Sequence, residues 1–119
     1  MTKLRETRIF RYVDIVFIET PDFIRKVDRL ATVEEMFALE RELIENPHKG
    51  KLIRGAGGAR KIRMKVGDSG KSGGARVIYY YVDMRGEVWF LDIYQKPEKE
   101  EVEESEKRYL YRFIKETIP

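Results

Sequence analysis

The sequence contains no cysteine and a single histidine, His48. Disulfide bonds and thiolate metal sites are therefore excluded, and one imidazole cannot assemble a metal cluster alone. No apolar run approaches the roughly 20 residues that cross a bilayer, and the amino-terminal stretch lacks the apolar centre of a secretion signal. We therefore expect a cytoplasmic chain with no cofactor and no membrane partner, whose chemistry depends on lysine, arginine, tyrosine and carboxylates.

Positive charge is concentrated in one segment of a chain whose net charge is only +3. The 119 residues have the size of one domain, so we expect residues 1–119 to form a single unit. Between Lys49 and Arg76 there are nine lysines or arginines and one acid, Asp68. Such a localised field is typical of a surface that binds a polyanion, most commonly nucleic acid, and the plainer alternative is a solvated charged face.

Residue periodicity predicts an α+β fold with the element order β-α-α-β-β-β-α. Thr20 and Pro21 suit the start of one helix, and Thr32 with Glu35 forms the capping box of a second. The predicted strands cover 12–19, 59–66, 75–83 and 87–96, and the predicted helices begin at Pro21, after Thr32 and at Glu98. The last three strands form a meander, with a glycine-rich hairpin loop over 67–74.

Strand alternation predicts that the basic side chains gather on one face of the sheet. Lys61, Arg63 and Lys65 share a face, opposite to that of Arg60. The next strand brings Arg76 and Tyr80 to one face, and the third strand is predicted to place Phe90, Asp92, Tyr94 and Lys96 together. Crowded cations repel each other and cost stability unless a polyanion neutralises them, which favours a functional interpretation.

If the polyanion is RNA, the residue types fit cleavage by attack of the 2′-hydroxyl on the adjacent phosphate. That reaction needs a base, cations for the phosphorane and an acid for the leaving oxygen. Crowding by other cations favours the neutral form of a lysine, so a lysine can be the base without histidine, while arginine clamps phosphate. Tyr80 and Tyr94 are candidates for stacking a base, or for buried tyrosines. Arg60, Lys65 and Lys71 are candidates for holding phosphates.

The motif Gly-Gly-Ala-Arg occurs twice, at 57–60 and 73–76, and each copy leads into a predicted strand. Glycine allows a chain to turn tightly and to approach its neighbours closely. The repeat is therefore interpreted as hairpin chemistry, in which each arginine marks a strand beginning near a turn.

Three segments together resemble the RelE toxin superfamily, and within it the HigB-type (host-inhibition) toxins. They are RKIR on one strand, GGARVIYYY on the next and IYQKPEKEE at the end of the third. The resemblance runs from about the first strand to the last helix. It implies a compact fold in which helices pack on one face of a small antiparallel sheet.

The resemblance also implies a function and a set of residue roles. Members of the family are metal-independent messenger RNA endonucleases that act on codons in the ribosome and are neutralised by an antitoxin. HigB-type toxins commonly pair with a helix-turn-helix, DNA-binding antitoxin. By position, Lys61 and Arg63 match the basic pair that binds phosphate and supplies the base, Arg76 matches the arginine that stabilises the transition state, and Lys96 matches the cation that aids the leaving group.

Three other functions remain open at the level of sequence, one of which is an inactive relic or a toxin that acts on another nucleic acid. The ParE branch of the same superfamily poisons DNA gyrase and lacks the basic catalytic set, which this chain retains. A non-catalytic basic RNA-binding module would bind RNA without cutting it, and loss of one cation would then only weaken affinity.

Overall fold

The computed structural model describes residues 7–12, 14–67, 74–95 and 101–119. Its strands are β1 (Arg8–Arg11), β2 (Val16–Glu19), β3 (Lys51–Leu52), β4 (Arg60–Met64), β5 (Ala75–Val82) and β6 (Glu87–Gln95). Its helices are α1 (Pro21–Leu30), α2 (Val33–Glu45) and α3 (Glu104–Thr117). The α+β class and the three-helix content are confirmed, and two strands are added to the predicted order.

The six strands form one mixed sheet in the order β1-β2-β6-β5-β4-β3. All neighbours are antiparallel except β2 and β6, which run parallel with Val16 opposite Glu87. The prediction of one strand over 12–19 was wrong, because the chain turns there. The Tyr12 backbone N–H donates to the Ile15 carbonyl at 2.8 Å and closes a hairpin between β1 and β2.

The predicted capping contact is present at the start of α2 but not at the start of α1. Thr32 and Glu35 form the reciprocal capping box at the start of α2. Pro21 opens α1, but the Thr20 hydroxyl does not cap that helix and instead donates to the Phe90 carbonyl at 2.9 Å. Thr20 therefore ties the start of α1 to the central strand β6.

The sheet carries helices on both faces, so the predicted packing on one face was wrong. Side chains of α1 and α2 form one core with one face of the sheet, where the Phe17 and Phe23 rings stack on Phe90 with centroids 5.5 and 5.0 Å away. Side chains of α3, among them Leu110 and Phe113, form a second core with the opposite face. The physical reason is that β2, β5 and β6 are apolar on both faces, which calls for two layers of cover.

A bulge in β6 changes which residues share a face. Ile78 pairs with Asp92 and Tyr79 pairs with Phe90, so Leu91 is an extra residue in the ladder. Phe90 consequently faces α1 and α2, whereas Tyr94 lies in the core under α3. The predicted common face for Phe90 and Tyr94 was therefore wrong.

The closing helix begins at Glu104, later than the predicted start at Glu98. Glu103 caps it by accepting from the Glu106 backbone while the Glu106 side chain accepts from the Glu103 N–H at 2.8 Å. Within the described residues, no helix is long and apolar enough to span a membrane.

Candidate RNA-binding and catalytic surface

The meander brings the predicted cations together on the face of the sheet that carries α3. Arg63 lies directly opposite Arg76 across β4 and β5, and Arg76 lies opposite Tyr94 across β5 and β6. Side chains so paired have Cβ atoms about 5 Å apart. Lys61 lies one pair further along, opposite Ile78. The predicted proximity of Lys61, Arg63 and Arg76 is therefore confirmed, while their catalytic roles remain predictions.

The three cations differ in their access to solvent. Arg63 is exposed and Lys61 is half-buried. Arg76 is only 7% exposed, and Tyr94 beside it is 5% exposed. Sequence alternation assigns a face of the sheet but not what lies above it, so the burial of Arg76 was not predicted.

Acidic residues of the carboxy-terminal segment act on the buried part of this surface. Val102 is buried in the same core as Tyr94. Burial raises the pKa of Tyr94, Arg76 opposes that rise, and Glu106 and Glu101 add to it. Negative charge from Glu101 and Glu106 therefore reaches Tyr94, the residue that pairs with Arg76.

Tyr80 is held under a glycine loop. The backbone φ angles of Gly57 and Gly58 are +74° and +105°, in the left-handed region. A Cβ on Gly58 would lie 2.9 Å from the Tyr80 ring, and one on Gly57 would lie 3.1 Å from Cα of Tyr111 on α3. The first Gly-Gly-Ala-Arg copy is thus a left-handed turn that packs against Tyr80 and α3. Tyr80 is half-buried and on the same face as Arg76, so of the two predicted stacking tyrosines it is the more accessible.

Arg60 and Lys65 do not join the Arg63–Arg76 pair. Arg60 lies on the opposite face, where its Nη1 donates to the carbonyl oxygens of His48 and Gly50 at 3.0 and 2.8 Å. The backbone N–H groups of Thr32 and Gly67 lower the pKa of Glu35, and Lys65, exposed beyond the end of β4, adds to this effect. The position of Arg60 does not support a phosphate contact shared with Arg76, whereas the phosphate role of Lys65 remains a prediction.

Lys71 and Lys96, and most of the predicted hairpin loop over 67–74, lie outside the described residues. Their predicted roles in phosphate binding and in protonation of the leaving group therefore remain predictions.

Sequence reasoning missed two features of this surface, Lys51 and the acidic residues Glu101 and Glu106 that act on Tyr94. Lys51 pairs with Lys61 across β3 and β4, which adds an exposed cation to the same face. Strand β3 has only two residues, too few for alternation to reveal it, although Lys51 belongs to the basic segment. The sequence signal for these acidic residues was the negative charge of the segment that leads into α3. That charge is equally typical of the start of any helix, so it did not indicate a contact with the basic surface.

No family model matches the sequence. Among solved structures, the chain is similar to the Escherichia coli toxin RelE, determined in its free state as a double arginine-to-alanine variant. The TM-score is 0.51 with 17% sequence identity, over 70% of this chain and 84% of that one. Together with the mixed sheet and the placement of the three helices, this similarity shows that the chain has a RelE-like fold.

Proposed function

We propose that this chain is the toxin of a type II toxin-antitoxin system, of the HigB type within the RelE superfamily. Its activity is metal-independent endonucleolytic cleavage of messenger RNA on the ribosome, in the cytoplasm, which stops translation. The single observation that carries the proposal is the pairing of Arg63 with Arg76 across β4 and β5, with Lys61 one pair away on the same face. Cations on directly opposite positions of neighbouring strands repel each other, and a bound phosphate relieves that repulsion.

The cations suit the steps of 2′-hydroxyl attack. Lys61 takes the proton from the hydroxyl, and Arg63 holds the scissile phosphate as a bidentate donor. Arg76 stabilises the extra negative charge of the phosphorane, and Lys96 protonates the departing 5′-oxygen. A base flanking the scissile bond stacks on Tyr80, since Tyr94 is buried.

Access to Arg76 requires a local rearrangement, because its side chain is buried. Arg63 is exposed and receives the phosphate first. An RNA phosphate competes with the negative charge of Glu101 and Glu106 for this region. In this proposal the ribosome-bound messenger therefore exposes Arg76 as it binds.

The test is primer-extension mapping of a defined message in cell-free translation, with stalled ribosomes and without ribosomes. We expect cuts confined to translated codons for the unmodified chain. Arg63→Ala should reduce the cleavage rate by about 10²-fold or more, because it removes a donor to the reacting phosphate. Arg29→Ala, which removes an exposed cation of α1, is the matched control and should cut normally.

The burial of Arg76 favours one competing function, a basic RNA-binding module without catalysis. In that case the message stays intact, and Arg63→Ala weakens RNA binding without affecting any cleavage. Arg76→Lys retains charge in the buried position and should retain binding but lose cutting if the proposal is correct. Translation that continues with an intact message would refute the nuclease and move the interpretation to RNA binding or to a gyrase poison.

A further inference from the structure

The sheet has an open edge at β1. Within the described part of the chain, β1 is the outermost strand beside β2. Residues of an antiparallel strand alternate between backbone groups that bond to the neighbour and groups that point away. Because the Tyr12 N–H donates to Ile15, alternation directs the N–H and C=O of Ile9 and Arg11 toward the open edge. Ile9 is 64% exposed, so this edge presents an apolar side chain next to backbone groups that point away from β2.

An apolar groove runs beside this edge, on the face of the sheet that carries α1 and α2. Its volume is about 170 Å³, and Ala31 and Met36 contribute to its lining. Three large side chains that line it stay accessible, with Phe10 40%, Val33 63% and Phe37 46% exposed. Exposed apolar residues gathered around a concavity mark a contact surface rather than ordinary scatter.

The same groove contains carboxylates withdrawn from water. Glu19 is 4% exposed and accepts from Nε of Arg8 at 2.7 Å, and Glu40 is 3% exposed and accepts from the Tyr12 hydroxyl at 2.9 Å. Asp28 stands at the rim. Glu19 and Asp28 both contact Arg8, whereas the hydrogen bond to Glu40 comes from a neutral hydroxyl. This groove is negative, on the opposite face of the sheet from the Arg63–Arg76 pair.

The buried Glu40 carboxylate accepts a hydrogen bond from a hydroxyl and not from a cation. Burial raises the pKa of Glu40 to about 7, and the negative charge of Glu19 adds to the rise. The Tyr12 hydroxyl is neutral and gives only a hydrogen bond. A cationic side chain entering the groove would supply the missing opposite charge, and a neighbouring apolar side chain would cover Phe37.

We infer that β1 and the adjoining groove form the docking site for an extended arm of the antitoxin, which adds a strand at Ile9 and Arg11 and directs a lysine or arginine toward Glu40. The geometry of a strand places every second side chain on one face. The arm therefore has a basic residue two positions from a large apolar one. Identification of the arm with the antitoxin rests on the proposed function, whereas the surface requires only a polypeptide of this pattern.

The test selects random phage-displayed peptides on the full chain made by cell-free synthesis. We expect enrichment of sequences with lysine or arginine two positions from a large apolar residue. Binding of these peptides should be about tenfold or more weaker to Glu40→Gln and to Phe37→Ala, because a charge-assisted contact or a covering apolar contact is lost. Leu52→Ala, which alters an exposed apolar residue on the opposite edge strand β3, should bind as the unmodified chain does.

Hydrogen exchange on the enriched peptide complex locates the strand. The amides of Ile9 and Arg11 should become protected, while those of β3 should not. Three results would overturn the inference: no enriched pattern, equal binding by Glu40→Gln, or a self-associated chain whose dimer Glu40→Gln dissolves. This measurement contains no RNA, so it tests the docking surface separately from the nuclease. If the nuclease assay failed, the antitoxin would no longer be the expected partner, but the peptide result would still decide whether the surface binds a strand of this pattern.

Discussion

Glu40 should make the folded state less stable as the pH rises. The free energy of unfolding depends on the difference in bound protons between the folded and unfolded chains. Burial raises the pKa of Glu40 from 4.5 to about 7, so between these values the folded chain holds a proton that the unfolded chain has released. The stabilisation by protonated Glu40 is therefore complete below 4.5 and is lost as the pH rises through about 7.

The size of this effect follows from the width of that pH window. One pH unit corresponds to about 1.4 kcal/mol, so the window of about 2.5 units is worth at most about 3.5 kcal/mol. Glu40→Gln keeps a neutral side chain of the same shape at every pH. It should match the unmodified chain at low pH and exceed its stability by up to about 3.5 kcal/mol above the window.

Urea unfolding followed by circular dichroism, at pH values below 4.5, between 4.5 and 7 and above 7, measures the difference between the two chains. Glu45→Gln removes an exposed carboxylate from the same helix and serves as the control for loss of one negative charge. A Glu40→Gln difference that stays constant with pH, or that Glu45→Gln reproduces, would refute the reasoning about burial.

Two further predictions concern the stability of the chain around the candidate site. The fully buried Tyr79 hydroxyl donates to the Pro47 carbonyl at 2.7 Å and accepts from the Gly50 N–H at 2.8 Å, so Tyr79→Phe should cost about 1–3 kcal/mol in urea unfolding. Tyr81→Phe, which loses only an exposed contact, should cost a few tenths, and similar losses would contradict the assigned role of Tyr79. Gly58→Ala should destabilise the chain more than Gly55→Ala, because both have positive φ but only Gly58 faces the Tyr80 ring; equal losses in thermal unfolding would show that this contact gives way freely.

Local signals in the sequence predicted the structure correctly at positions where one residue type favours one conformation. Pro21 and the Thr32–Glu35 box fixed the helix starts, and alternation in β4 correctly placed Lys61 and Arg63 on one face. The bulge at Leu91 was not predictable, because one inserted residue reverses alternation without changing composition.

Long-range partners account for the other errors. The edge strand β1 contains two arginines, so its sequence does not indicate a strand. It forms a strand because it pairs with β2. The apolar stripe of α3 predicted that this helix docks, but not on which face, so neither the second core nor the burial of Arg76 could be derived from the sequence.

The parallel pairing of β2 with β6 has a consequence for how the chain is made. Protein synthesis delivers β2, α1 and α2 before the strand that joins them to the rest of the sheet, since Val16 pairs with Glu87. A nascent chain halted before Glu87 leaves Phe17 and Phe23 without Phe90, the ring on which both stack. Such distant pairing delays folding and exposes apolar surface until it is formed. The core of the amino-terminal half is therefore completed only after β6 has been synthesised, and a chain halted before that point exposes the apolar surface on which proteases and aggregation act.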